Sequence, residues 1–100
     1  MSQIFENSKE RLEEICQRYG VKKLELFGSA ARSDFGPESD IDILIRFLPD
    51  RTPSLGKLVE LQDELADLFG RSVQLATSSI LENPYRRKTV EKDLRALYAA

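Results

Sequence analysis

Apolar and polar residues follow two different periods along this chain, and the change of period marks its elements. From Asp40 to Phe47 they alternate. Ile41, Ile43, Ile45 and Phe47 fall on one face, and Asp40, Asp42, Leu44 and Arg46 on the other, which predicts a strand. Its isoleucine face requires a cover of helices. Leu12, Ile15, Cys16 and Tyr19 instead fall at i, i+3, i+4 and i+7, which predicts a helix from about Ser2 to Tyr19. Asn7 or Ser8 is its candidate cap and Gly20 its stop. Val21 to Phe27 is a short apolar run between two glycines, read as a strand with Glu25 exposed on its far side. After Gly28-Ser29, the residues Ala30-Ala31-Arg32 read as one helical turn, and Ser33 to Ser39 as a loop turning at Gly36-Pro37. Ser54 is placed to cap a long helix from Leu55 to Phe69, with Leu55, Leu58, Leu61, Leu65 and Leu68, together with Phe69, in its stripe and Gly70 as its stop. Arg71 to Thr77 predicts a third strand, with Val73 and Leu75 inward. Ile80 to Glu82 is a short helical piece broken at Asn83-Pro84. Tyr85 to Tyr98 predicts a last helix with Val90, Leu94, Leu97 and Tyr98 on one stripe.

The order of elements predicts an α/β (α+β) fold in one domain, residues 1–100: a small mixed three-stranded sheet flanked by helices. The second and third strands, joined through the long helix, are expected to be parallel. The first two, joined by a short turn, are expected to be antiparallel. A hydrophobic fraction of 41% and a charged fraction of 32% suit a globular chain. The net charge of -2 argues against a general polyanion surface, so no DNA binding is expected. There is no histidine, which excludes histidine bases, histidine triads and histidine-ligated zinc. The single cysteine, Cys16, excludes an internal disulfide and reads as a small buried apolar residue. No apolar run reaches membrane-spanning length and the N-terminus lacks the pattern of a signal peptide, so the expected location is cytoplasmic with no membrane contact.

The candidate chemistry lies between Leu24 and Phe47. Asp40 and Asp42 are two residues apart at the mouth of a strand, where side chains i and i+2 share a face. Two carboxylates in that position repel each other and call for a cation, and a hard divalent ion with oxygen ligands is the natural one. Gly28-Ser29 ends the preceding strand. A glycine turn into a helical N-terminus gives a phosphate close backbone access, and it equally describes a Ser cap after a Gly turn. Arg86-Arg87-Lys88 open the last predicted helix, against the dipole preference. They fit either an external anionic partner or a solvated cluster.

Gly28-Ser29, ten intervening residues, then Asp40-Ile41-Asp42 resembles the signature of the polymerase-beta-like nucleotidyltransferases. The fuller run LFGSAAR…ESDIDILI is similar to the minimal nucleotidyltransferases (MNT), and the likeness covers nearly the whole chain. The resemblance implies the polymerase-beta-like nucleotidyltransferase fold. It implies that Gly28 and Ser29 bind the triphosphate of ATP or another NTP, with Arg32 beside the phosphates or bracing the helix. It implies that Asp40 and Asp42 are the catalytic, Mg²⁺-binding pair. One departure stands out. The family carries a third carboxylate on the next strand, and Gln74 stands there, where it brings no charge and cannot act as a base. Small MNT proteins are often the antitoxin half of a pair with a HEPN-domain toxin. The resemblance therefore implies transfer of AMP from ATP to a hydroxyl, a tyrosine, of a HEPN partner. The alternative is a weak or inactive nucleotidyltransferase that neutralises that partner by binding. A hetero-oligomer or a homodimer is compatible with either.

Overall fold

The computed structural model describes residues 3–31, 40–92 and 94–100. In chain order the elements are α1 (Gln3–Asn7), α2 (Lys9–Tyr19), β1 (Val21–Phe27), a 3₁₀ turn (Gly28–Ala31), β2 (Ile41–Phe47), α3 (Leu55–Phe69), β3 (Val73–Thr77), a second 3₁₀ turn (Ser78–Glu82), α4 (Pro84–Lys92) and β4 (Arg95–Ala99). The strands form one sheet in the order β3-β2-β1-β4. β1 runs antiparallel to β2 and β4, while β2 and β3 are parallel. The mixed sheet and both predicted strand directions are therefore present, but the sheet has four strands, not three.

The core lies on the face that carries the isoleucines. Leu24 and Leu26 of β1, Ile41, Ile43 and Ile45 of β2 and Val73 of β3 pack with Leu12, Ile15 and Cys16 of α2 and Leu61, Leu65 and Phe69 of α3. Each fully buried Leu or Ile contributes roughly 2 kcal/mol of transfer free energy. The caps fix the lengths of these helices. Ser54 Oγ accepts from the Lys57 N–H at 3.2 Å, and Gly20 and Gly70 end α2 and α3 in the left-handed conformation. Glu64 of α3 accepts from the Tyr19 hydroxyl and from Arg18 Nη1 (2.7 Å), tying α2 to α3. On the edge strand β3, the Leu75 N–H donates to Gln62 Oε1 of α3 at 3.1 Å.

Three expectations are corrected. The last predicted helix ends at Lys92, and Arg95–Ala99 is a strand. Its Leu97 and Tyr98 fit a helical stripe locally. As a strand, however, they pack on the core and hydrogen-bond the free edge of β1, with Ala100 N–H donating to Lys22 O at 2.8 Å. Unpaired strand edges are costly to leave beside a core, so the long-range partner overrides the local period. The first helix is broken at Ser8, because Phe5 turns into the core and meets Phe69 edge-on at 5.2 Å. Glu25, expected in solvent, is only 8% exposed. Leu44 and Val90 are also buried, apart from the main core cluster, so the second face of the sheet is partly covered. Alternation alone cannot separate a solvent face from a second covered one. Lys23 Nζ lies 3.6 Å from Glu25 Oε2 and offsets its charge.

Cys16 is fully buried, and burial, with a smaller contribution from Glu13, pushes its thiol up to about 12. At pH 8 only about one thiol in ten thousand would be ionised. Native protein is therefore expected to leave Ellman's reagent unreacted over hours, with one equivalent released on unfolding. Rapid colour at pH 8 without denaturant would contradict the packing.

Candidate functional site

β1 and β2 build the centre of the site between them. Their antiparallel register sets Phe27 opposite Asp42, at the end where β1 stops and β2 begins. The parallel register on the other side sets Gln74 of β3 beside Asp42. Asp42 therefore stands on an inner strand of the sheet, on the face opposite the isoleucines, with Phe27 to one side and Gln74 to the other. The Ile41 N–H donates to Ser72 O at 2.9 Å, which pins the start of β2 against the approach to β3.

Gly28 follows with φ +67, a conformation that favours glycine. The reversal it makes brings the backbone against the carboxylate: a Cβ on Gly28 would lie 2.7 Å from Asp42 Oδ2. The 3₁₀ turn Gly28–Ala31 starts there, so the backbone of Ser29 lies in it. Asp40 is exposed, immediately before β2. Arg32 lies outside the described residues.

Burial pushes the Asp42 carboxyl above its ordinary value, and the like charge of Asp40 pushes the same way. Arg86, on α4, acts in the opposite sense. The site thus carries a half-buried carboxylate, a second carboxylate beside it and a cation on another element. Among the described residues no group of three or more Asp, Glu, Cys or His is placed to enclose a metal. A pair of carboxylates with open positions suits a hard divalent cation that keeps waters and shares phosphate oxygens. Gln74 can offer such an ion an amide oxygen and no charge. Three surface depressions lie elsewhere, one of them lined by Arg11, Ile15, Glu64, Asp67 and Leu68. A second is lined by Arg18, Arg51, Ser54 and Lys57 and a third by Lys22, Phe47, Leu58 and Thr77, and none of the three includes Asp40 or Asp42. The donor chemistry marks the site more clearly than concavity does.

The structure thus brings together Gly28, Asp42 and Gln74, with Asp40 at their margin. That Arg86 favours the ionised form of Asp42 is not foreseen from the sequence. The signal available was its spacing: Arg86 lies four residues before the buried Val90, on the same side of α4.

The nucleotidyltransferase domain family model matches residues 8–97. MJ0128 of Methanocaldococcus jannaschii is 44% identical over 78 residues, 78% of each chain. The protein adenylyltransferase MntA of Thermococcus cleftensis is 39% identical over 70 residues, 70% of this chain and 69% of its own. Among solved structures, a toxin–antitoxin complex with AMP-PNP superposes with a TM-score of 0.69 at 20% identity, covering 92% of this chain and 73% of that one. A tri-AMPylated Shewanella oneidensis HEPN toxin in complex with MNT antitoxin gives 0.64 at 18% identity, covering 96% and 73%. At those identities the likeness is one of fold. The family match spans nearly the whole chain, both motif strands included, and the chain belongs to the nucleotidyltransferase domain family.

Proposed function

We propose that this chain is a Mg²⁺-dependent protein adenylyltransferase that moves AMP from ATP to a tyrosine hydroxyl of a HEPN-domain toxin and so acts as its antitoxin. The observation that carries this reading is the placement of Asp42, with Gly28 against its carboxylate and Asp40 beside it. The relative named protein adenylyltransferase and the toxin–antitoxin complexes of like fold support it. Asp40 and Asp42 would hold the ion, which when bound offsets phosphate charge. Gly28 leaves the backbone open to the triphosphate, Ser29 follows it directly, and Arg32 comes four residues after it in the chain. In the transfer, the acceptor oxygen bonds to the α-phosphorus. The bond from that phosphorus to the α,β-bridging oxygen breaks, and pyrophosphate leaves with the electron pair. Gln74 takes no proton, so the proton of the acceptor passes to water.

Gln74 favours a second reading, in which the chain neutralises its partner by binding and transfers slowly or not at all. The two are separated by incubation with labelled ATP, Mg²⁺ and the product of the neighbouring gene. Wild type is expected to label the partner. Gln74→Asp, which restores a base beside Asp42, is expected to raise the rate by roughly tenfold or more. Absence of label with both proteins would overturn the transfer reading and leave neutralisation by binding.

A further inference from the structure

We propose that the N-terminal half of α3 and the depression beside it are the docking surface for the partner protein, which presents to it an acidic segment carrying one apolar side chain. This rests on the antitoxin reading above. It assigns the hold on the partner to the end of the sheet away from Asp42.

The surface exists because the apolar stripe of α3 runs on past the core it covers. Leu61, Leu65 and Phe69 are buried, whereas Leu55 is 77% exposed and Val59 50%. Among the described residues only Tyr85 is a further large apolar side chain left in solvent. Leu55, Leu58 and Val59 are spaced i, i+3 and i+4, so they share one side of the helix. Ser54 fixes where that side begins, because its hydroxyl accepts from the Lys57 N–H and sets the first turn. Gln62, a turn further on, reaches β3, where its side chain accepts from the Leu75 N–H. The stripe therefore lies on the flank of α3 towards β3, away from Glu64, which holds α2.

The charges say what such a surface takes. Leu58 lines a depression of about 450 Å³ with Phe47 and Pro53. Lys22 and Arg46, both exposed, line it too, and its lining holds no carboxylate. Among the described residues neither cation has an ion-pair or side-chain hydrogen-bond partner. The depression on the α2 side differs in this respect. There Asp50 is part of the lining, Arg18 is held by Glu64 at 2.7 Å, and Lys57 lies 3.2 Å from Glu60. Two unpaired cations beside an apolar wall complement a carboxylate that adjoins an apolar side chain. A two-fold contact between copies of this chain, centred on the depression, would set cation against cation. The distance suits a hold that is separate from the chemistry. Phe47 is five residues beyond Asp42 on β2, roughly 16 Å by the rise of a strand. A partner held there leaves the Asp42 end of the sheet open to nucleotide and acceptor.

Calorimetric titration of the full chain with the product of the neighbouring gene tests this. K22E/R46E is expected to weaken the complex by roughly a hundredfold and to flatten the fall of affinity with salt that wild type shows. L55S/V59S, which exchanges two side chains already in solvent, is expected to weaken it by roughly tenfold. K88E/K92E reverses two exposed charges on α4 and is expected to match wild type. Wild-type affinity in either K22E/R46E or L55S/V59S would overturn the surface and leave the antitoxin reading standing. An equal loss in K88E/K92E would reduce the effect to general charge attraction and overturn it as well. Wild type that sediments alone as a dimer, with L55S/V59S a monomer, would give the surface to a second copy instead. Wild type that does not bind the gene product would overturn the antitoxin reading, and this surface with it. Melting curves confirm that the variants are folded when titrated.

Discussion

Asp42→Asn is expected to abolish AMP transfer, by about a thousandfold or more, while raising the melting temperature of the ligand-free protein. The two effects have one cause. Asp42 is half-buried on an inner strand, and both its burial and Asp40 disfavour its charge. Asparagine keeps the shape and removes that charge. It also removes the anionic oxygen a divalent ion requires. The sign follows from the direction of the shift. A carboxylate whose ionised form is disfavoured in the folded state subtracts from stability at neutral pH, so neutralising it adds stability. The carboxyl is partly solvated and Arg86 opposes the effect, so the gain should stay under about 1 kcal/mol, at most about 4–8 °C. Paired melting curves and transfer assays on the same preparations test it. An inactive variant that melts below wild type would show that the carboxylate holds the fold together, contrary to its surroundings. Strain of this kind is common where a site must stay ready for a ligand.

Gly28→Ala is the second large effect, and Gly70→Ala is its matched control. Both glycines have φ +67, so both substitutions carry the same backbone strain of about 1 kcal/mol. They differ in what the new methyl meets. At Gly70 nothing lies within 4 Å; at Gly28 the Cβ would sit 2.7 Å from Asp42 Oδ2. The carboxylate must then turn away or the turn must open. Gly70→Ala is expected to lower the melting temperature by about 4–8 °C with full transfer activity. Gly28→Ala is expected to lower it at least as far and to lose activity by about a hundredfold, the usual consequence of misplacing a reacting group by an ångström. If both variants keep equal activity, the contact between the turn and Asp42 has no part in the chemistry.

These contrasts also show which features a sequence can disclose. β1 and β2 are legible because each is a short run closed by its own punctuation, Gly20 and Gly28 for one, the Asp-x-Asp alternation for the other. α3 is legible for the same reason, from Ser54 to Gly70. What was not legible depended on distant partners. Arg95-Ala96-Leu97-Tyr98-Ala99 contains good helix formers and becomes a strand because β1 offers an edge some seventy residues earlier in the chain. Ser8 interrupts a helix because of Phe69. Glu25 is buried because the second face has a cover that its own strand does not announce. At the site, the carboxylate pair and the glycine turn could be named from their spacing. That Arg86 acts on Asp42 could not, since the two are joined only through the packing of α4.

The order β3-β2-β1-β4 has a consequence for how such a protein can change over generations. Asp42 belongs to an inner strand that is paired on both sides, and a substitution there disturbs everything it touches. Arg86 belongs to a peripheral helix whose exposed residues can vary at little expense to the whole. Substitutions are therefore tolerated more readily along the exposed side of α4 than at Asp42.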